Sequence, residues 1–217
     1  MPLGKLLRVV FWTALVLGVI AGALRLTCIR WWRVPTDDPI LETSIAPTLR
    51  GGDWVLLWRA TAPHFGSLVI CPDPDNVGRF VIGRVLGEAN DQLTIDGDRV
   101  QVNGHDARTE TACSDSTFTV DDPDTGSEVT QQCQLEEVGG ILHMRGSNGG
   151  LDRAPPVAAT RTVGAGNVFL VSDNRAYPYD SRMYGAIDRS LCKESIFFRL
   201  VGKRGFGDVD SRLTYIH

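Results

Sequence analysis

The chain has 217 residues, 43% hydrophobic and 22% charged, enough for a membrane anchor plus one well-buried globular domain and too apolar for a disordered chain. All 26 acidic residues follow position 33, where only 17 of the 22 basic ones lie, so the bulk of the chain is acidic. That balance argues against a nucleic-acid partner.

The first predicted element is a membrane-crossing helix. Residues 9–24 are uncharged and apolar, and with Arg8 and Arg25 included the stretch runs from about Leu6 to Ile29. At ~1.5 Å per residue it crosses a hydrocarbon core of ~30 Å if the two arginines snorkel. Trp31 and Trp32 beside Arg30 and Arg33 read as an interfacial belt. A cleaved signal peptide is the alternative, since Lys5 and Arg8 precede an apolar core ending at Ala21-Gly22-Ala23. The basic, aromatic residues that follow suit an anchor better than a new N-terminus. Basic residues flank both ends of the stretch, so charge alone leaves its orientation open.

Pro35 to Pro39 read as a short, stiff connector. Residues 54–58, 68–71, 80–82, 92–95, 99–102 and 168–171 are β-branched or aromatic runs separated by Gly, Pro, Asn and Asp. This spacing predicts a mostly β fold of hairpins with no long amphipathic helix outside the anchor. Asp96-Gly97 and Asn103-Gly104 are turn signals. Cys113 and Cys133 are symmetric about a turn within Asp121 to Gly126, which predicts a cross-strand disulfide and an oxidising compartment. Two free thiols in a solvated loop are the alternative. Cys71 and Cys192, in apolar surroundings, are expected to be buried thiols. No Cys/His spacing suits a metal, and no cofactor is expected.

Three stretches carry the chemistry. Ser44-Ile45-Ala46-Pro47-Thr48-Leu49 is followed by Gly52-Asp53. Far along the chain come Ser172-Asp173-Asn174-Arg175 and Asp180-Ser181-Arg182, with Gly185 close behind. In order and spacing these resemble the boxes of the bacterial type I signal peptidases, membrane-anchored serine proteases that cleave the small-residue c-region of exported precursors. The resemblance runs to the closing segment, Arg212 to His217. It implies a two-lobed β fold with an N-terminal transmembrane helix: an anchor at 1–33, a β domain at 34–217, and an inserted β subdomain at about 90–165.

The resemblance also implies site roles. Ser44 takes the nucleophile position. A serine hydroxyl needs a neighbouring base, which in this family is a lysine kept neutral by burial, directly before an Arg-Val pair. Here Phe80-Val81-Ile82-Gly83-Arg84-Val85 puts Gly83 there, and glycine accepts no proton. A slip of one residue would offer Ile82 or Arg84, and neither is a base. The serine that orients the lysine is replaced by Pro178, the glycine before Asp173 by Ser172, and an oxyanion-donating serine by Glu42, whose charge would repel an oxyanion. Ile45 stands for a methionine. Asp173, Asn174, Arg175, Asp180, Ser181 and Arg182 are expected to support the site through bidentate Asp/Arg pairs. Lys5, Lys193 and Lys203 lie outside the family's catalytic region, and His64, His105, His143 and His217 read as solvated or hydrogen-bonded side chains.

The expected function is that of a membrane-anchored, signal-peptidase-like pseudoenzyme. It would bind signal-peptide-like or extended peptide segments, or act as a non-catalytic subunit beside another membrane protein. Two alternatives stay open: an active signal peptidase with an atypical base, and a purely structural assembly protein. By resemblance the location is the bacterial inner (cytoplasmic) membrane, single-pass, with the main domain on the periplasmic or extracytoplasmic side.

Overall fold

The structure is a computed structural model that describes residues 3–147 and 159–216. Part of the expected insertion and His217 therefore lie outside the described residues. The chain opens with helix α1 (Leu3–Thr27), whose segment Leu7–Thr27 is long and apolar enough to cross a membrane and is exposed along its length. At ~1.5 Å per residue those 21 residues span about 31 Å, a hydrocarbon core's thickness. The chain turns at once into β1 (Ile29–Arg33), which pairs with β2 (Trp54–Trp58). The two tryptophans expected to form an interfacial belt lie on this strand. Alternation along β1 leaves Trp31 exposed and turns Trp32 into the core edge-on to Phe80, at 6.5 Å between ring centroids.

Between those strands sits a single helical turn, α2 (Pro39–Ser44). Asp38 caps it by accepting from Leu41 N at 3.1 Å, and Pro39 at the first helical position supplies a preset φ. The connector thus ends as a helix start, which Asp38-Pro39 encodes.

The main sheet is antiparallel, with further strands β3 (Leu68–Pro72), β4 (Phe80–Gly87), β12 (Asn167–Val171), β13 (Ile187–Asp188), β14 (Glu194–Val201) and β15 (Thr214–Tyr215). Its order is β1-β2-β14-β3-β4-β12-β13, with β15 on β14. After β4 the chain leaves this sheet, and it returns at β12. The excursion carries β5 (Gln92–Asp96), β6 (Arg99–Val102), β7 (His105–Asp106) and β11 (Ala159–Thr162) in one small sheet. A second contains the long strands β8 (Arg108–Asp121), β9 (Glu128–Val138) and β10 (Ile141–Ser147). The mostly β architecture expected from the alternating runs is present.

Cys113 and Cys133 form a disulfide between β8 and β9, whose turn is closed by Asp122 N donating to Ser127 O and Gly126 N to Asp122 O, both at 2.8 Å. The expectation of buried thiols at Cys71 and Cys192 is overturned. They form a second disulfide, with Cα atoms 4.5 Å apart, inside a cluster with Val69, Val81, Val85 and Leu170. Folding brings together two residues 121 positions apart, and sequence spacing holds no sign of such a pair.

Candidate active site

Ser44 ends α2 and is 1% exposed. Its Oγ donates to Leu41 O at 3.0 Å, the back-bond a serine makes within a helix. Its carbonyl accepts from Asn174 N at 3.0 Å, and Asn174 Nδ2 donates to Thr43 O at 2.9 Å. Asn174 therefore holds the two carbonyls on either side of the serine Cα. Ile45 and Leu41, flanking Ser44, pack with Ile82 of β4.

Position 83 lies on β4 opposite Val69 of β3. Strand alternation puts it on the face of Val81 and Val85, which pack around the buried disulfide, whereas Ile82 faces the residues flanking Ser44. A Cβ at 83 would lie 3.0 Å from Leu170 Cβ and 3.5 Å from both N and O of Val171, so the sheet has closed over this position. The register is pinned on its other side. Arg84 is 1% exposed and grips Asp173 with Nε and Nη2 at 3.0 and 2.9 Å, while its Nη1 donates to Gly66 O at 2.8 Å. A slip of one residue in strand pairing would bury that guanidinium among hydrocarbons, so the pairing register of β4 is firmly held.

Asp173 also accepts from Thr48 Oγ1 at 2.6 Å. Burial alone would raise its carboxyl, but the Arg84 guanidinium and these hydrogen bonds hold it below the ordinary range. Asp180 follows the same pattern. Arg182 grips it in a fork, Ser172 N donates to it at 2.7 Å, and against the burial penalty they keep it ionised. Ser181 Oγ accepts from Leu170 N at 3.0 Å, and Ser172 Oγ accepts from Tyr179 N at 3.1 Å, which ties the loop carrying Pro178 to β12. Arg175 pairs with Glu136 of β9 and donates from Nη1 to Ser172 O at 2.8 Å. These Asp/Arg pairs and serine hydroxyls tie the loops after β12 to the main sheet and to β9.

Glu42 lies on the outer side of α2. On a helix with about 100° per residue, positions 42 and 44 point to different sides. Glu42 Oε1 takes the ammonium of Lys203 at 2.9 Å, and its carboxylate lies where a Cβ on Gly51 would clash at 2.7 Å. Lys203, remote in sequence, is thus brought to the outer side of α2 and engaged there.

Of two further buried groups, sequence reasoning read His143 as a solvated or hydrogen-bonded side chain and passed over Gln131. His143 on β10 is buried and bonds Glu136 Oε2 through Nε2 at 3.1 Å. Burial and the nearby Arg84 cation lower its pKa against the pull of Glu136, so the ring is neutral at pH 7. No hydrogen bond links it to Ser44 among the described residues. Gln131 on β9 is 1% exposed, and its Oε1 accepts from Asn174 Nδ2 at 2.8 Å. Its only signal was a polar residue at an inward position of the hairpin, visible once the turn is placed. His64 bonds Ser67 at the surface, His105 is exposed on β7, and the described residues contain no His/Cys/Asp/Glu group able to hold a metal.

Comparison with known proteins gives a match to the family model for signal peptidase, peptidase S26, over residues 7–200. A crystal structure of a signal peptidase I from Enterococcus faecalis aligns at 17% identity, covering 62% of this chain and 97% of that one. Its TM-score of 0.36 is too loose to assign residues. No curated protein matches.

Proposed function

The chain belongs to the signal peptidase family, peptidase S26, and from that membership we propose that it is a membrane-anchored member that keeps a peptide-binding groove and has lost the base for cleavage. The observation that carries this reading is position 83. A glycine there accepts no proton, and its surroundings are filled by Leu170 and Val171. The Ser44 hydroxyl is buried and directed at a main-chain carbonyl, which agrees with an unactivated serine.

Support for a groove comes from β4. Val85 exchanges main-chain hydrogen bonds with Ser67 and Gly66, so alternation turns the N–H and C=O of Phe80 and Ile82 to the opposite edge. On that edge β12 pairs only from Arg84 to Gly87 and ends beside Gly83, and no described strand pairs with Phe80–Ile82. An extended peptide can add there as a strand, close to Leu41 and Ile45. The substrate class is the extended, small-residue segment of a signal peptide, and a membrane protein partner would present it.

A histidine-dependent peptidase is the second reading, favoured by a neutral, carboxylate-oriented His143. A cleavage assay on a preprotein, run with Ser44→Ala and His143→Gln in parallel, decides between them. No turnover above Ser44→Ala is expected. Cleavage that disappears in both variants would establish the second reading.

A further inference from the structure

The disulfide hairpin reaches the serine segment by several routes. Thr43 Oγ1 donates to Asp121 O at 2.9 Å and Tyr177 hydroxyl to Asp122 Oδ2 at 3.1 Å, so the hairpin tip is tied to both α2 and the loop after β12. From the other side, Gly146 N donates to Asp173 O and Arg175 N to Gly146 O, each at 2.9 Å. That approach leaves no room for a side chain at 146, where a Cβ would meet the Phe118 ring at 2.7 Å. Asn174 sits at the crossing. One amide nitrogen serves both Thr43 O and Gln131 Oε1, its N–H serves Ser44 O, and its Oδ1 accepts from Ala176 N at 3.2 Å.

We propose that Gln131 is a positioning residue for the serine segment: it fixes the Asn174 side-chain amide, which holds the Thr43 carbonyl directly before Ser44, beside the Asn174 main-chain N–H that holds the Ser44 carbonyl. The amide nitrogen is shared between two acceptors and the amide oxygen is held by Ala176 N, so removing the Gln131 acceptor takes away one of three hydrogen bonds that orient the side chain. Gln131 lies two residues from Cys133, so the disulfide steadies the strand that carries the acceptor. The hairpin is then a wall of the groove as well as a surface insertion. A partner that moved the hairpin would change the serine segment without touching it. This inference rests on the reading that the Ser44 segment borders the peptide groove.

Hydrogen exchange in the detergent-solubilised full chain tests it, comparing residues 41–49 with β12, whose exchange reports global opening. Gln131→Met keeps the shape of the side chain and removes the acceptor. Exchange over 41–49 is expected to rise about tenfold with β12 unchanged, the order of effect of one lost buried hydrogen bond. Gln131→Glu retains an acceptor oxygen for Asn174 and should return exchange to within about twofold of the native rate. Exchange over 41–49 unmoved by Gln131→Met, or equally fast in the Glu variant, overturns the proposal, since the effect would then be absent or due to packing alone. If Gln131→Met does not fold, Gln131→Asn, which withdraws the acceptor by one methylene, is measured under the same criteria. Peptide binding to the native chain is measured separately. Its absence would sink the groove reading and leave the exchange result standing.

Discussion

At the scale of single residues, Gly83 and His143 make the sharpest claims. The close approach of Leu170 to Gly83 implies that even one methyl group there must displace β12, because Leu170 Cβ is fixed to the strand backbone. Gly83→Ala is expected to lower the unfolding free energy by about 1–3 kcal/mol in a denaturant titration, the usual cost of overpacking a core. A stability equal to that of the native chain would show that the sheet has slack. Gly83→Lys should likewise fail to restore Ser44-dependent cleavage alone, since its side chain starts into the disulfide cluster and Pro178 supplies no orienting hydroxyl. Combining it with Pro178→Ser is the variant in which activity, if any returns, is expected. Glu42→Ser adds nothing to that pair, because Glu42 is spent on Lys203.

His143 sets a pH dependence whose sign follows from its depressed pKa. The unfolded chain accepts a proton near the ordinary value of 6.5, and the folded chain resists it. Stability is therefore full above about pH 6.5 and falls as the pH drops through that value, by at most ~1.4 kcal/mol per pH unit. Asp173, Asp180 and Glu136, held below their ordinary 3.8, 3.8 and 4.5, add a second loss that begins near pH 4.5. Asp53, raised by burial, works in the opposite direction and softens that second phase. Urea titrations at pH 5.5 and 7.5 should show the first phase in the native chain and not in His143→Gln. An identical slope in both would assign the effect to another group.

Among the elements, the two disulfides differ in what they constrain. Cys113–Cys133 closes a local hairpin with a separation of 20, and Cys71–Cys192 closes a separation of 121 that encloses the first. Loop-closure entropy gives ~3 kcal/mol for a loop near the first size and up to ~5 kcal/mol for the second. Cys71 and Cys192 are also packed in the core, so replacing them leaves a void as well. The paired Cys71→Ala/Cys192→Ala variant should therefore melt at a lower temperature than Cys113→Ala/Cys133→Ala. The reverse order would mean that the hairpin, and with it the α2 contacts, contributes more than the core crosslink.

For the whole molecule, the two disulfides bear on a question that charge leaves open. Lys5 and Arg8 precede the apolar span, while Arg25, Arg30 and Arg33 end or follow it. Disulfides persist in oxidising compartments, so the β domain is expected outside the cytoplasm. Protease added to spheroplasts should digest the domain, and a non-reducing peptide map of membrane-derived protein should contain both crosslinks. Resistance to the protease together with four free thiols at these positions would place the domain inside. The strand that follows α1 directly, β1, also limits how far the sheet can lie from the membrane: only Cys28 separates the helix from the sheet.

By itself the sequence determined an apolar helix long enough to cross a membrane, the mostly β class, the hairpin disulfide and the family, because each rests on a local pattern: an apolar run, period-two alternation, symmetry about a turn, and boxes in a set order. It also determined that residue 83 is a glycine, and chemistry alone says that glycine is no base. Only the tertiary structure decided what distant residues do to one another. Cys71 met Cys192, Lys203 met Glu42, and Gln131 met Asn174 through contacts between segments that have no spacing rule connecting them. The direction of a side chain was likewise unreadable until the register of β4 was set. Val81, Gly83 and Val85 turn toward the buried disulfide, while Arg84, committed to Asp173, fixes the opposite face. Pairing register and long-range docking are global solutions to burying apolar surface while satisfying each buried charge, and a one-dimensional pattern specifies them only when the whole chain is folded together.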